Sequence, residues 1–128
     1  AALAVGAVCA TDITGFGLLG HAAHIAGASG VALRIRMADV PLLPGARAAA
    51  ERGVRTGGAD RNRSHLEPQV EWGTASETDR VLAIDPQTSG GLLVALSPER
   101  CREYLSRVAG AVEIGDVVPA GAKGIVLA

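Results

Sequence analysis

The chain has 128 residues, and this length predicts a single domain with a core of two packed layers. Its 12 basic and 13 acidic residues leave a net charge of −1, and no apolar window approaches the roughly eighteen residues that span a bilayer, so we expect neither a nucleic acid nor a membrane as a partner. Cys9 and Cys101 lie far apart in the sequence without CxxC spacing, which favours unpaired thiols and a cytoplasmic location.

The first seven residues, AALAVGA, are apolar and favour a helix, but they offer neither a start methionine nor a capping residue. We interpret residues 1–7 as a linker or the end of a preceding helix, and we expect residues 8–128 to form one domain of a longer protein. Residues 8–10 are predicted to form a short strand that leads into the first candidate site.

Residues 10–21, ATDITGFGLLGH, place one carboxylate in front of a glycine-spaced turn and an apolar run. The run predicts a helix over residues 16–26, ended by Gly27 or Gly30, with a core-facing stripe: Leu18, Leu19, Ala22, Ile25 and Ala26. The carboxylate, Asp12, has two interpretations. It either holds a hydrated cation beside helix N–H groups that favour phosphate, or it caps the helix or closes an Asx-turn.

Residues 31–37, VALRIRM, alternate between apolar and basic side chains, as in a half-solvated strand. The solvated face explains Arg34 and Arg36 more simply than phosphate binding does. A short helix is predicted from Pro44 to Arg52.

Residues 55–79 are polar and show neither the helical nor the strand period, so they are predicted to form a long loop. Within this loop, residues 57–62, GGADRN, either present glycine N–H groups and Arg61 to an anion or form a charged surface turn. Near its end, Ser76 and Asp79 resemble a capping box, which predicts a helix over residues 77–82.

Residues 85–93, DPQTSGGLL, form a third glycine-rich turn that either faces a ligand or only connects elements, and it feeds a strand at 92–96. A helix that begins at Ser97 is expected to bury Cys101, Leu105 and Val108. Residues 112–118 and 124–128 are predicted to pair as a hairpin. We therefore predict an α+β fold, with helices packed on a mixed β-sheet and three glycine-rich turns converging at one edge.

The motifs ATDITGFGLLGH, GGADRN and DPQTSGGLL, joined by VPLLPGA at residues 40–46, together resemble the C-terminal domain of the selenophosphate synthetase family, within the aminoimidazole ribonucleotide synthetase-like superfamily. The resemblance implies a selenide, water dikinase, which converts selenide, ATP and water into selenophosphate, AMP and phosphate with Mg²⁺. It also implies an N-terminal domain that supplies most ATP and metal contacts and the reactive cysteine or selenocysteine. We therefore expect no catalytic residue in this chain, no activity from it alone, and a homodimer of the full-length protein.

Carried over residue by residue, the resemblance implies that Asp12 is a Mg²⁺ ligand rather than a cap. The residues implied to shape the nucleotide and substrate cleft lie in the three motifs: Thr11, Thr14, Gly15, Gly57, Gly58, Asn62, Gln87, Thr88, Ser89, Gly90 and Gly91. Ala59 stands where the family often has a small hydroxyl, and His24 where it often has an acid. Neither cysteine matches the family's reactive one, and we expect both thiols to be buried and inert.

Two alternatives stay open from the sequence. One is another ATP-dependent enzyme of the same superfamily, and the other is a stand-alone binding domain without chemistry of its own. Selenide-dependent AMP formation distinguishes the first, and the presence of a catalytic N-terminal domain distinguishes the second.

Overall fold

A computed structural model describes all residues, 1–128, as helices packed on a mixed sheet, which confirms the predicted α+β class. The helices are α1 (Gly17–Ser29), α2 (Ala46–Glu51), α3 (Gly57–Leu66), α4 (Glu77–Ile84) and α5 (Pro98–Arg107). The strands are β1 (Cys9–Asp12), β2 (Val31–Ile35), β3 (Val70–Glu71), β4 (Leu92–Ala95), β5 (Gly115–Pro119) and β6 (Ile125–Leu127). None of the helices has the length and apolar character needed to cross a bilayer.

Four strands form one mixed sheet in the order β3-β6-β2-β5, and β1 and β4 form a separate antiparallel pair. Within the larger sheet, β2 pairs parallel to β6 and antiparallel to β5, with Leu33 opposite both Ile125 and Val117. The predicted hairpin of the last two strands is therefore wrong, because β2 lies between them. The inner position of β6 explains why Ile125 and Leu127 are almost fully buried.

Helix α1 organises the core, since it contacts β1, β2, β6, α3 and α4. All five residues predicted to face the core are buried on it, and the helix ends at Gly30, which adopts a left-handed conformation with φ of 65°. Ser76 accepts a hydrogen bond from the Asp79 backbone N–H, so the predicted cap of α4 is also confirmed.

The predicted long loop at residues 55–79 is wrong, because its first half forms α3. The inward side of α3 consists of Ala59, Asn62 and Leu66, which are all buried. These positions have helical spacing, but the polar residue at the centre interrupts the apolar pattern that normally reveals a helix.

Helix α5 begins where it was predicted, with Pro98 in its first turn, yet none of its residues is fully buried. Cys101, Leu105 and Val108 are only half-buried, which corrects the expected packing of this helix. In β2, Arg34 is exposed as predicted for a solvated face. The Arg36 guanidinium instead pairs with three carboxylates, of Asp39, Glu113 and Asp116, so its donors are already used within the chain.

Candidate functional site

The first and third motifs lie side by side because β1 pairs with β4, with Asp12 opposite Leu92. Beyond this pair, the Ile13 N–H donates to the Gly91 carbonyl oxygen at 2.9 Å. The Gln87 N–H then donates to the Thr14 carbonyl oxygen at 3.0 Å. The turn that follows Asp12 is therefore held by backbone bonds to the loop of residues 85–91.

The second motif joins the same place, although as the first turns of α3 and not as a loop. Thr56 caps α3 by accepting from the Ala59 N–H at 3.2 Å, and its hydroxyl donates to Asp85 Oδ1 at 3.2 Å. Gly58 packs so closely on Pro86 that an added Cβ would lie 2.5 Å from the proline Cγ. All three glycine-rich motifs thus meet, as predicted, while the Gly57–Gly58 pair starts a helix instead of forming a turn.

Asn62, in the second motif, bonds through its side-chain amide to the first motif and to the residue just before the third. Its Nδ2 donates to the Gly15 carbonyl oxygen and to the Ile84 carbonyl oxygen, each at 2.9 Å. The residue is only 8% exposed and is one of two buried polar residues in the chain. The amide therefore ties the turn after Asp12 to the end of α4.

His21 is the other buried polar residue, and the sequence did not indicate a role for it. Its Nε2 accepts from the Thr14 N–H at 3.0 Å and lies 3.1 Å from the Thr14 hydroxyl oxygen. A ring nitrogen that accepts from an N–H carries no proton, so this geometry requires the tautomer with hydrogen on Nδ1. The only sequence signal was its place at the end of the first motif.

Asp12 lies at the exposed end of β1, and its carboxylate makes no hydrogen bond or ion pair within the chain. Helix α1 has Phe16 at its N-cap without a side-chain bond, and the Thr14 N–H is bound to His21. The capping and Asx-turn interpretations are therefore wrong. The Thr11 side chain contacts the next residue, because its hydroxyl donates to the Asp12 carbonyl oxygen at 3.0 Å.

The free carboxylate of Asp12 fits the role of a single metal ligand. No group of three or more His, Cys, Asp or Glu side chains is arranged to hold a metal ion in this chain. Mg²⁺ is commonly held by one or two carboxylates together with waters and substrate phosphates, so one ligand from this chain is chemically sufficient only when others are supplied from elsewhere.

An open cavity of about 510 Å³ lies beside the place where the three motifs meet. Seven residues line it: Gly15, Phe16, Thr56, Gly58, Arg61, Asn62 and Pro86. The guanidinium of Arg61 is exposed and forms no ion pair. Three of the predicted cleft residues thus share one cavity with an arginine and an exposed aromatic ring.

The remaining loop residues line a different space. Gln87, Thr88, Ser89, Gly90 and Gly91 border a larger, mainly apolar groove of about 1310 Å³ that extends along β4, α5 and β5. The Gln87 side chain turns back to donate to the Asp85 carbonyl oxygen at 3.2 Å. Most of the predicted cleft residues are therefore divided between two spaces, but Thr11, Thr14 and Gly57 border neither space, and nor does Asp12.

Both cysteines are half-buried, so the expectation that both thiols are buried is wrong. Burial raises the pKa of the Cys101 thiol, and the nearby Glu113 carboxylate raises this pKa further. A raised pKa lowers the thiolate fraction, which is the reactive form of cysteine. Cys101 is thus disfavoured as a nucleophile by its surroundings.

The model of the family described as AIR synthase related protein, C-terminal domain, matches residues 1–128, and the chain belongs to this family.

Several curated relatives share a single name, selenide, water dikinase. The protein from Citrifermentans bemidjiense is 42% identical over 125 residues, covering 94% of this chain and 36% of the relative. Those from Caldanaerobacter subterraneus and Clostridioides difficile are 41% and 40% identical, covering 87% and 90% of this chain. The chain therefore spans about a third of the length of the curated relatives it matches.

Proposed function

We propose that this chain is the C-terminal domain of a selenide, water dikinase, which forms selenophosphate, AMP and phosphate from selenide, ATP and water. The observation that carries the proposal is the 42% identity to proteins of that name over 94% of the chain. The matched region includes all three motifs that the fold brings together. The ATP and metal contacts not present here would come from an N-terminal domain of the same protein, and we expect that protein to be a homodimer.

In this proposal Asp12 would contribute one ligand to Mg²⁺, and the metal would neutralise charge on the nucleotide phosphates. The other residues of this chain act by holding the Asp12 carboxylate in position. The β1–β4 pair fixes the position of the Asp12 backbone. The turn that follows is held by the Ile13 N–H, which donates to Gly91, and by the Thr14 carbonyl, which accepts from Gln87. Phosphoryl transfer depends mainly on alignment and charge neutralisation, so a fixed carboxylate is a useful contribution.

The test uses the full-length protein that contains this chain. We expect AMP to form from ATP only when selenide is present, and Asp12→Ala to remove turnover while the circular dichroism spectrum stays unchanged. The matched control is Glu71→Gln, because Glu71 is another exposed strand carboxylate without an ion pair. AMP formation that ignores selenide would favour a different ATP-using enzyme of the superfamily, and near-normal turnover of Asp12→Ala would remove Asp12 as a ligand.

A further inference from the structure

The hydrogen bonds of Asn62 lead to an inference about how the site is assembled, and this inference rests on the proposed function. We propose that Asn62 is a positioning residue: its amide nitrogen sets the turn after Asp12 against the end of α4, next to the loop of residues 85–91, and it does not act by touching substrate. The resemblance by itself implied only that Asn62 shapes the cleft.

The first argument is the geometry of the amide. Both hydrogens on Nδ2 are used, one on the Gly15 carbonyl and one on the Ile84 carbonyl, at 2.9 Å each. These carbonyls belong to the first motif and to the end of α4, immediately before the third motif. Ile84 is the last residue of α4, where carbonyl groups have no partner within the helix, so the amide satisfies a group that burial would otherwise penalise.

The second argument is that the same carbonyl is approached from another side. Gly17 starts α1 with φ of 68°, and an added Cβ there would lie 2.7 Å from the Ile84 carbonyl carbon and oxygen. The start of α1 and the side chain of Asn62 therefore both abut the last peptide group of α4. A shift of that peptide moves the start of α1 and the adjacent turn together.

The third argument connects this junction to Asp12. Only Ile13 and Thr14 separate Asp12 from Gly15, and each is bound on its backbone. Ile13 donates to Gly91, the Thr14 carbonyl accepts from Gln87, and the Thr14 N–H donates to His21. Asn62 supplies the remaining hold, on the Gly15 carbonyl. No other hydrogen bond joins residues 13–15 to α3 or α4.

A contact role makes a different prediction, and the two roles can be separated chemically. The Asn62 side-chain oxygen accepts no hydrogen bond within the chain, and the residue borders the open cavity. If that oxygen bound substrate, Asn62→Asp would preserve the acceptor. If the amide nitrogen positions the turn, Asn62→Asp places a carboxylate oxygen against two carbonyl oxygens and is at least as harmful as Asn62→Ala.

The experiment measures turnover and hydrogen exchange in the full-length protein for Asn62→Ala, Asn62→Asp and Asn62→Ser. The control is Ser64→Ala, on the exposed side of α3, whose hydroxyl bonds only within its own helix. We expect kcat to fall about 10- to 100-fold for the first two variants, since a displacement of about 1 Å can cost about 100-fold, with the KM for ATP within about twofold of the wild type. Asn62→Ser retains one donor and is expected to recover part of kcat.

Hydrogen exchange provides the readout that does not depend on activity. We expect faster exchange in peptides that cover residues 13–17 and 85–91 in the Asn62 variants, and no change in Ser64→Ala. Unchanged exchange in both peptides would overturn the proposal, and so would an Asn62→Asp protein with wild-type kcat. If Asn62→Ala does not fold, Asn62→Ser decides the question, because it retains one donor and its exchange and kcat can still be compared with the wild type. A wild-type protein without selenide-dependent turnover would refute the proposed function, while hydrogen exchange would still test the positioning role of Asn62.

Discussion

Replacing Gly17 with alanine tests the junction between α1 and α4 directly. Gly17 has φ of 68°, and an added Cβ would lie 2.7 Å from the carbonyl carbon and oxygen of Ile84 and 3.0 Å from the carbonyl oxygen of Asp85. All three are backbone atoms, so no side-chain rotation can relieve the overlap. The variant must either separate α1 from the end of α4 or distort one of them.

The expected cost has two parts. The left-handed conformation costs alanine about 1–2 kcal/mol, of which about 0.4–1 kcal/mol is returned because alanine restricts the unfolded chain. Forcing packed groups apart adds about 1–3 kcal/mol. Gly30 isolates the first part, because it has φ of 65° but no atom within 4 Å of an added Cβ. We therefore expect a net loss of about 1 kcal/mol for Gly30→Ala and about 2–4 kcal/mol for Gly17→Ala.

Equilibrium urea unfolding, followed by circular dichroism, measures the difference. At an m-value near 1.5 kcal/mol/M, the midpoint is expected to fall by about 0.7 M for Gly30→Ala and by about 2 M for Gly17→Ala. Equal losses for the two variants, within about 0.5 kcal/mol, would refute the close approach of α1 to α4.

Three further predictions concern charge and chemistry. Hydrogen bonds from Ser76 and Arg47 lower the pKa of Asp79, so the ionised carboxylate stabilises the fold fully above the ordinary carboxyl pKa of about 3.9, and this contribution is lost as the pH falls through the folded-state pKa. The unfolding midpoints of wild type and Asp79→Asn should therefore differ at pH 7 and converge towards pH 3. A difference that stays constant with pH would contradict this. The raised pKa of Cys101 predicts slow alkylation by iodoacetamide at pH 8, faster in Glu113→Gln, as followed by mass spectrometry; equal rates would remove Glu113 as a cause. Because no three His, Cys, Asp or Glu side chains of this chain are grouped to hold a metal ion, calorimetric titration of this chain with Mg·ATP should show no tight site, and micromolar binding would refute the two-domain account.

The sequence predicted α1, α4 and α5 well because their signals are local. The apolar stripe of α1, the Ser76 cap and Pro98 each act within one or two turns of the residue that carries them. Helix α3 was missed because its buried face contains Asn62, which a hydrophobic pattern counts as exposed. The polar side chain is buried there because its amide is satisfied by two carbonyls from other elements.

The sheet order could not be predicted from adjacent elements. The last two strands are joined by a short segment, and this favours a hairpin when only the local sequence is considered. Instead, β2 lies between them, because its own buried residues, Leu33 and Ile35, complete the apolar layer with Ile125 and Leu127. The pairing depends on which strand best covers the core, and strands far apart in sequence compete for that place.

The same reasoning explains what the first motif did and did not reveal about Asp12. An acid shortly before a helix predicts a cap when the intervening turn has no other partners. Here the turn is bound by His21, seven residues after Thr14, and by Asn62, 47 residues after Gly15. Since His21 and Asn62 satisfy the turn, the Asp12 carboxylate makes no hydrogen bond within the chain and is exposed at the end of β1. A carboxylate without a partner in the fold is available to a cation. This is the physical basis for testing Asp12 as a metal ligand and Asn62 as the residue that positions it.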